Sequence, residues 1–225
     1  MIINKIELKN YRIYKGQNTL EFRADKDKNV HIISGENGFG KTTLLTGLVW
    51  CLYGKLMVDV DEKYKREIYE AGGYRKYANS QLNRDSKDES DFSVSISLAE
   101  IFIPSIPCQE IQVTRTFSLA KQEDRIEILI DGQPNELTRE VGSEIFIHDF
   151  ILPKEIAKFF FFDAEKIVSL AEMKSIEDKK MLGKAYSEEL ENKKYVDLRN
   201  HLQDLRLRFK RSSASVREKE KFTGL

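Results

Sequence analysis

Gly35-Glu36-Asn37-Gly38-Phe39-Gly40-Lys41-Thr42-Thr43 is the stretch that decides the fold. It fits G-x-x-x-x-G-K-[ST], the P-loop, and so points to a nucleoside triphosphate and Mg2+. The chemistry accounts for the spacing. Glycines at 35, 38 and 40 let the backbone turn tightly and approach phosphates without a Cβ in the way. The loop N–H groups, Asn37 and Phe39 included, then form an anion cradle. The helix that follows adds its free N–H groups and the positive end of its dipole. Lys41 reaches the β/γ-phosphates, the Thr42 hydroxyl holds Mg2+, and Thr43 completes the first turn. A glycine-rich turn that binds nothing has no need of a lysine followed by two threonines.

The flanks agree with the motif. Val30, Ile32 and Ile33 form an apolar run that predicts a buried strand ending at Ser34. Leu44, Leu45, Leu48, Val49 and Leu52 follow at helical spacing, and Gly54 is the expected stop. Upstream, Ile3, Ile6 and Leu8 predict a first strand and Thr19 to Phe22 a second. A charged turn, Asp25 to Asn29, separates them from the loop. Lys55 to Ser90 is polar, rich in charge and tyrosine, and contains Gly72-Gly73. It reads as a mobile insertion with some helix over Glu62 to Glu70.

A β region comes next. Phe92, Val94, Ile96 and Leu98 alternate with polar residues. Ile111, Val113 and Arg115 run through Phe117 as a second strand. Ile126, Ile128 and Ile130 make a third, closed by Asp131-Gly132. The expectation is an antiparallel meander with one wet face. After Pro153, Lys154 to Lys158 reads as a short helix leading into Phe159-Phe160-Phe161-Phe162-Asp163-Ala164-Glu165-Lys166. The four phenylalanines read as core rather than chemistry, since aromatics bury large areas. Tyr195, Leu198, Leu202, Leu205, Phe209 and Val216 then step by three, four, three, four and seven, the seam of a coiled coil.

Composition sets wider bounds. A chain of 225 residues is expected to be one ordinary domain or one domain with an extension, long enough to bury about 70% of its unfolded surface. Its 37 basic and 37 acidic side chains cancel, so total charge neither supports nor excludes nucleic acid. Cys51 and Cys108 lack metal or disulfide spacing, and Cys51, beside Trp50 in the P-loop helix, is expected to be buried. With no signal-peptide pattern and no apolar run of membrane length, a reduced cytoplasmic setting without membrane contact is expected.

Taken together, this order resembles the N-terminal half of an SMC-like ATPase head, the class that includes the double-strand-break repair ATPases. Three places carry the resemblance: Ile6-Glu7-Leu8-Lys9-Asn10-Tyr11-Arg12, the P-loop, and Thr114-Arg115-Thr116-Phe117. The string from Phe159 to Ile167, with the opening from Met1 to Gly16 and the run from Ser34 to Thr43, is similar to the ATPases of bacterial DNA phosphorothioation systems.

The resemblance implies an α/β P-loop NTPase of the ABC/SMC-like head type. Residues 1–170 form its N-terminal lobe with the meander, and residues 171–225 begin a long coiled-coil helix. It implies ATP and Mg2+ as ligands and Arg12 as a phosphate or adenine contact. Related heads place a glutamine next to Mg2+ and the attacking water. Here that place falls on Asp163, or else Glu165. A carboxylate suits Mg2+, while Asp163 is also a good helix N-cap. The expected partners are the second head of a homodimer, DNA and other sulfur-modification proteins.

In such heads the Walker B carboxylates and signature motif come from a second half. No apolar strand ending in Asp-Glu follows the P-loop here, and His148-Asp149 has the wrong context. The chain alone is therefore expected to turn over negligible ATP. Alternatives stand beside this reading: another SMC-like repair ATPase, or a non-catalytic ATP-bound DNA clamp or scaffold. A P-loop GTPase or small-molecule kinase fits poorly: N-K-x-D is missing, Asn4-Lys5-Ile6-Glu7 ends in glutamate, and the long charged helix suits neither. Lys and Arg between Lys63 and Arg84, and from Arg199 to Lys221, alternate with acids, which favours solvated faces over a DNA patch.

Overall fold

The computed structural model describes residues 1–22, 30–86, 88–104, 106–161 and 202. The chain divides into two units, Met1–Asp163 and Ala164–Leu225, and the fold below is that of the first. Asp163, Glu165 and the coiled-coil seam lie outside the described residues, except that Leu202 is helical and exposed.

A six-stranded antiparallel sheet forms the frame. Its strands are β1 Ile2–Tyr11, β2 Tyr14–Glu21, β3 Asp91–Ala99, β4 Glu110–Ser118, β5 Glu123–Ile130 and β6 Gln133–Pro134. Their order is β2-β1-β3-β4-β5-β6, so β3 to β6 are the expected meander and β1 joins it as an inner strand. Alternation sets the register: Ile6 lies opposite Ile96, Ile96 opposite Val113, and Val113 opposite Ile128. All four are buried on one face. Asp131 and Gly132 both take positive φ, as a two-residue turn between β5 and β6 requires. The opposite face is less wet than expected, because Ser95 and Ser97 of β3 are buried too.

Helix α1, Lys41–Tyr53, packs on the buried face. Trp50 stacks on Tyr11 at 5.8 Å between ring centroids and meets Phe92 at 5.1 Å. Its indole N–H donates to Tyr74 Oη at 3.0 Å. Cys51 is buried as expected, its Sγ 3.2 Å from the Val94 carbonyl. Among the described residues no single helix is long and apolar enough to cross a membrane.

Three expectations are corrected. Residues 54–86 are packed, not a loose insertion: a 3₁₀ turn Gly54–Asp59, α2 Glu62–Glu70 and α3 Tyr74–Asn79 bury Met57, Val60, Tyr64, Ile68, Tyr77 and Ala78. The sparse apolar residues fall at helical spacing, and tyrosines supply much of the buried surface. The strand expected over Val30 to Ser34 does not form; Val30 and Ile32 are 76% and 87% exposed. A strand exists only when a neighbour shares its backbone hydrogen bonds, and no described strand pairs with this segment. The phenylalanine string is not uniformly core. Phe160 is 59% exposed, at the end of the helix Lys154–Phe160, and Phe161 is only partly buried.

Candidate functional site

The P-loop stands at the N-terminal end of α1, and the fold explains why it holds its shape there. Gly40 has φ +94, which an L-residue with a side chain rarely adopts. The position is also sealed from above. A Cβ at Gly40 would run into Ile13 and lie 2.9 Å from Tyr14 Oη. The carbonyl of Gly40 accepts the first helical bond, from Leu44 N–H at 2.9 Å. It also accepts from the Tyr14 hydroxyl at 3.3 Å.

Lys41 folds back over the loop, and its ammonium donates to the carbonyls of Gly35 at 2.5 Å and Glu36 at 2.9 Å. Phe39 N–H makes a long bond to Glu36 O, 3.3 Å. The Phe39 ring is 68% exposed, and Lys41 and Thr42 are exposed beside it. Thr43 is half-buried. The Thr42 carbonyl accepts from Thr46 Oγ1 at 2.9 Å, and Thr42 itself is exposed in the first turn of α1.

These residues fit a triphosphate. The donors are a lysine ammonium that reaches across the loop and the first-turn N–H groups of α1, which have no acceptor inside the helix. Gly35, Asn37, Gly38, Phe39, Gly40, Lys41, Thr42 and Thr43 are brought together at the start of α1, exposed except for buried Gly40 and half-buried Thr43. The expected metal position is half described: Thr42 is at the loop, and Asp163 lies outside the described residues.

Arg12 is placed differently. It occupies the turn between β1 and β2 at φ +51. Its guanidinium donates from Nε to Gln81 Oε1 and from Nη2 to Tyr77 Oη at 3.3 Å. Glu67 Oε2 lies 3.6 Å from Nη2. Burial lowers its pKa, and the neighbouring Tyr11, Tyr77 and Glu67 outweigh that and raise it overall. Three partners thus hold its Nε and Nη2 edge within the protein.

Two groups of residues were not anticipated from the sequence. The first is a set of buried polar side chains, Asn10, Gln81, Asn83 and Ser86. Arg12 N–H donates to Gln81 O at 2.6 Å and Asn83 N–H to Asn10 O at 2.9 Å. Asn83 Nδ2 donates to Arg12 O at 2.6 Å, and Ser86 Oγ to Asn10 Oδ1 at 3.0 Å. Together they clamp residues 81–86 onto the β1–β2 turn. The second is Arg115, which sits on the buried face among apolar residues, 3% exposed. It donates from Nε to Cys51 O at 3.0 Å and from Nη2 to Leu52 O at 3.2 Å, and it pairs with Asp124. These are the last carbonyls of α1, where a cation suits the helix dipole. Gly54 makes this possible, because a Cβ there would strike the guanidinium. The available signal was a charge at an inward position of an alternating strand.

The far end of α1 is tied to the helices that precede the phenylalanine string. Tyr53 Oη donates to Leu152 O at 2.9 Å, and Lys154 Nζ to Asp59 Oδ2 at 2.6 Å.

A family model described as an AAA domain matches residues 5–222. Among solved structures, the SMC head domain from Thermotoga maritima is similar at 15% identity, with a TM-score of 0.33. That match covers 62% of this chain and 41% of that one, so the chain spans less than half the length of the structure it resembles. No curated protein matches the chain.

Proposed function

The chain belongs to the AAA domain family, and from that premise we propose that it is the ATP-binding lobe of an SMC-like ATPase head of the DndD type, acting in DNA phosphorothioation. One observation carries the nucleotide part: Lys41 spans a loop whose glycine conformations and free first-turn donors suit phosphates. The narrower part rests on the sequence, on the string from Phe159 to Ile167 and the opening from Met1 to Gly16.

In this reading Gly35, Asn37, Gly38, Phe39, Gly40, Lys41, Thr42 and Thr43 bind the triphosphate, and Thr42 with Asp163 holds Mg2+. Bound Mg2+ would neutralise charge on the phosphates. Lys41 exchanges its two carbonyl partners for phosphate oxygens, a stronger charge-assisted pairing. We assign Arg12 to the framework of the site, since its guanidinium is already engaged. Residues 1–170 make the lobe and residues 171–225 the outgoing coiled coil. A second head, DNA and sulfur-modification proteins are its cytoplasmic partners, and the carboxylates that activate water come from outside this chain.

Thermal melting of the 225-residue chain tests the nucleotide reading. Mg-ATP should raise the midpoint, GTP should raise it less, and Lys41→Ala should abolish the shift. Ligand at a hundred times its Kd adds about 2.7 kcal/mol of stability. Turnover of ATP by this chain that disappears in Lys41→Ala would overturn the claim that the water-activating groups lie elsewhere.

A further inference from the structure

The two residues that follow Arg12 lie over the P-loop. Ile13 and Tyr14 cover Gly40, and the Tyr14 hydroxyl donates to the Gly40 carbonyl at 3.3 Å. That carbonyl also receives the Leu44 N–H at 2.9 Å, so it points along α1 toward the helix interior. No peptide bond among the described residues is cis. In a planar trans peptide the C=O and the next N–H point in opposite directions. Holding the Gly40 carbonyl therefore fixes the Lys41 N–H, which must point away from the helix and into the loop.

The turn that carries Tyr14 is itself held from outside. Gln81 O and Asn83 Nδ2 grip the backbone of Arg12, each at 2.6 Å, while Gln81, Tyr77 and Glu67 hold its guanidinium. Arg12 stands at positive φ, a conformation that costs a non-glycine residue about 1 kcal/mol and persists where surrounding contacts impose it. Helices α2 and α3 thus reach the P-loop through three consecutive residues, 12 to 14.

We propose that Tyr14 is a positioning residue of the nucleotide site, holding the Gly40–Lys41 peptide so that its N–H faces a phosphate. The Arg12 anchorage keeps Tyr14 there. The inference rests on the P-loop reading above. It adds a control point outside the motif: whatever loosens residues 62–86 weakens the grip on the nucleotide.

The test uses the whole 225-residue chain with Mg-ATP as the probe, and measures Kd by calorimetry and nucleotide-free stability by urea unfolding. Tyr14→Phe keeps the ring and removes only the hydroxyl. A bond serving stability alone would lower stability in the free and bound states equally and leave Kd unchanged. A positioning bond should weaken Kd about fivefold, the equivalent of one neutral hydrogen bond. Exchange of the Lys41 amide with solvent should quicken. Arg12→Gln should weaken Kd in the same direction, and the double variant should be no weaker than the worse single one, because both act on one peptide. Arg12→Gln also carries the test should Tyr14→Phe not fold. Wild-type affinity in both variants overturns the proposal. Failure of the wild-type chain to bind Mg-ATP, or full binding by Lys41→Ala, instead overturns the P-loop reading.

Discussion

A single buried thiol shows how strongly this core constrains chemistry. Cys51 is fully buried between β3 and β4. Burial pushes its pKa up to about 12, against a smaller lowering by Arg115. The reactive species is the thiolate, so Cys51 should resist iodoacetamide at pH 8 in the folded chain. Its alkylation should be on the order of 10³-fold slower than in urea, while half-buried Cys108 labels first; mass spectrometry of timed samples distinguishes them. The neighbourhood of Cys51 was legible in the sequence, because a cysteine beside a tryptophan in an apolar helix is a burial signal. Arg115 was not. Its meaning depends on the carbonyls of Cys51 and Leu52, 64 and 63 residues earlier, and no local pattern encodes that meeting.

Elements depend on neighbours in the same way. The meander strands were legible because alternation is a property of each strand alone. The segment Val30 to Ser34 has the apolar content of a strand, yet none forms, since pairing is supplied by another stretch of backbone. The 81–86 stretch failed in the other direction. Its polar residues suggested exposure, and their burial is licensed by partners on Asn10 and Arg12. Helix α1 is fastened to the sheet by the Arg115–Asp124 pair beneath its last turn. Asp124→Asn leaves a buried guanidinium without a counter-charge and should cost about 3–5 kcal/mol in urea unfolding. Replacing both, Arg115→Met with Asp124→Leu, should recover only part of the loss: no charge then remains to be compensated, but the Cys51 and Leu52 carbonyls lose their donor.

At the scale of the whole molecule, buried phenols dominate the response to alkali. Burial is the first cause of the raised pKa of Tyr11, Tyr53, Tyr64, Tyr74 and Tyr77, with Tyr77 pushed up to about 12. Above pH about 10 the unfolded chain loses these protons and the folded chain retains them. The folded state then binds more protons, so stability falls as pH rises, by about 1.4 kcal/mol per pH unit for each group that differs. Below that range these groups contribute no slope. Spectrophotometric titration at 295 nm should show the buried set ionising together with loss of ellipticity.

The strand order carries a consequence for how the chain is made. β1 leaves the ribosome well before β3, yet it lies between β2 and β3, and its β3 partners run from Ser93 to Ala99. The hairpin turn waits in the same way for residues 81–86. Contacts of such sequence separation are slow to close. During synthesis, the phosphate loop is therefore complete in covalent structure well before the frame that shapes it exists. A nascent chain paused before β3 would carry every residue of the P-loop and an unpaired edge on β1, the kind of edge that recruits other strands.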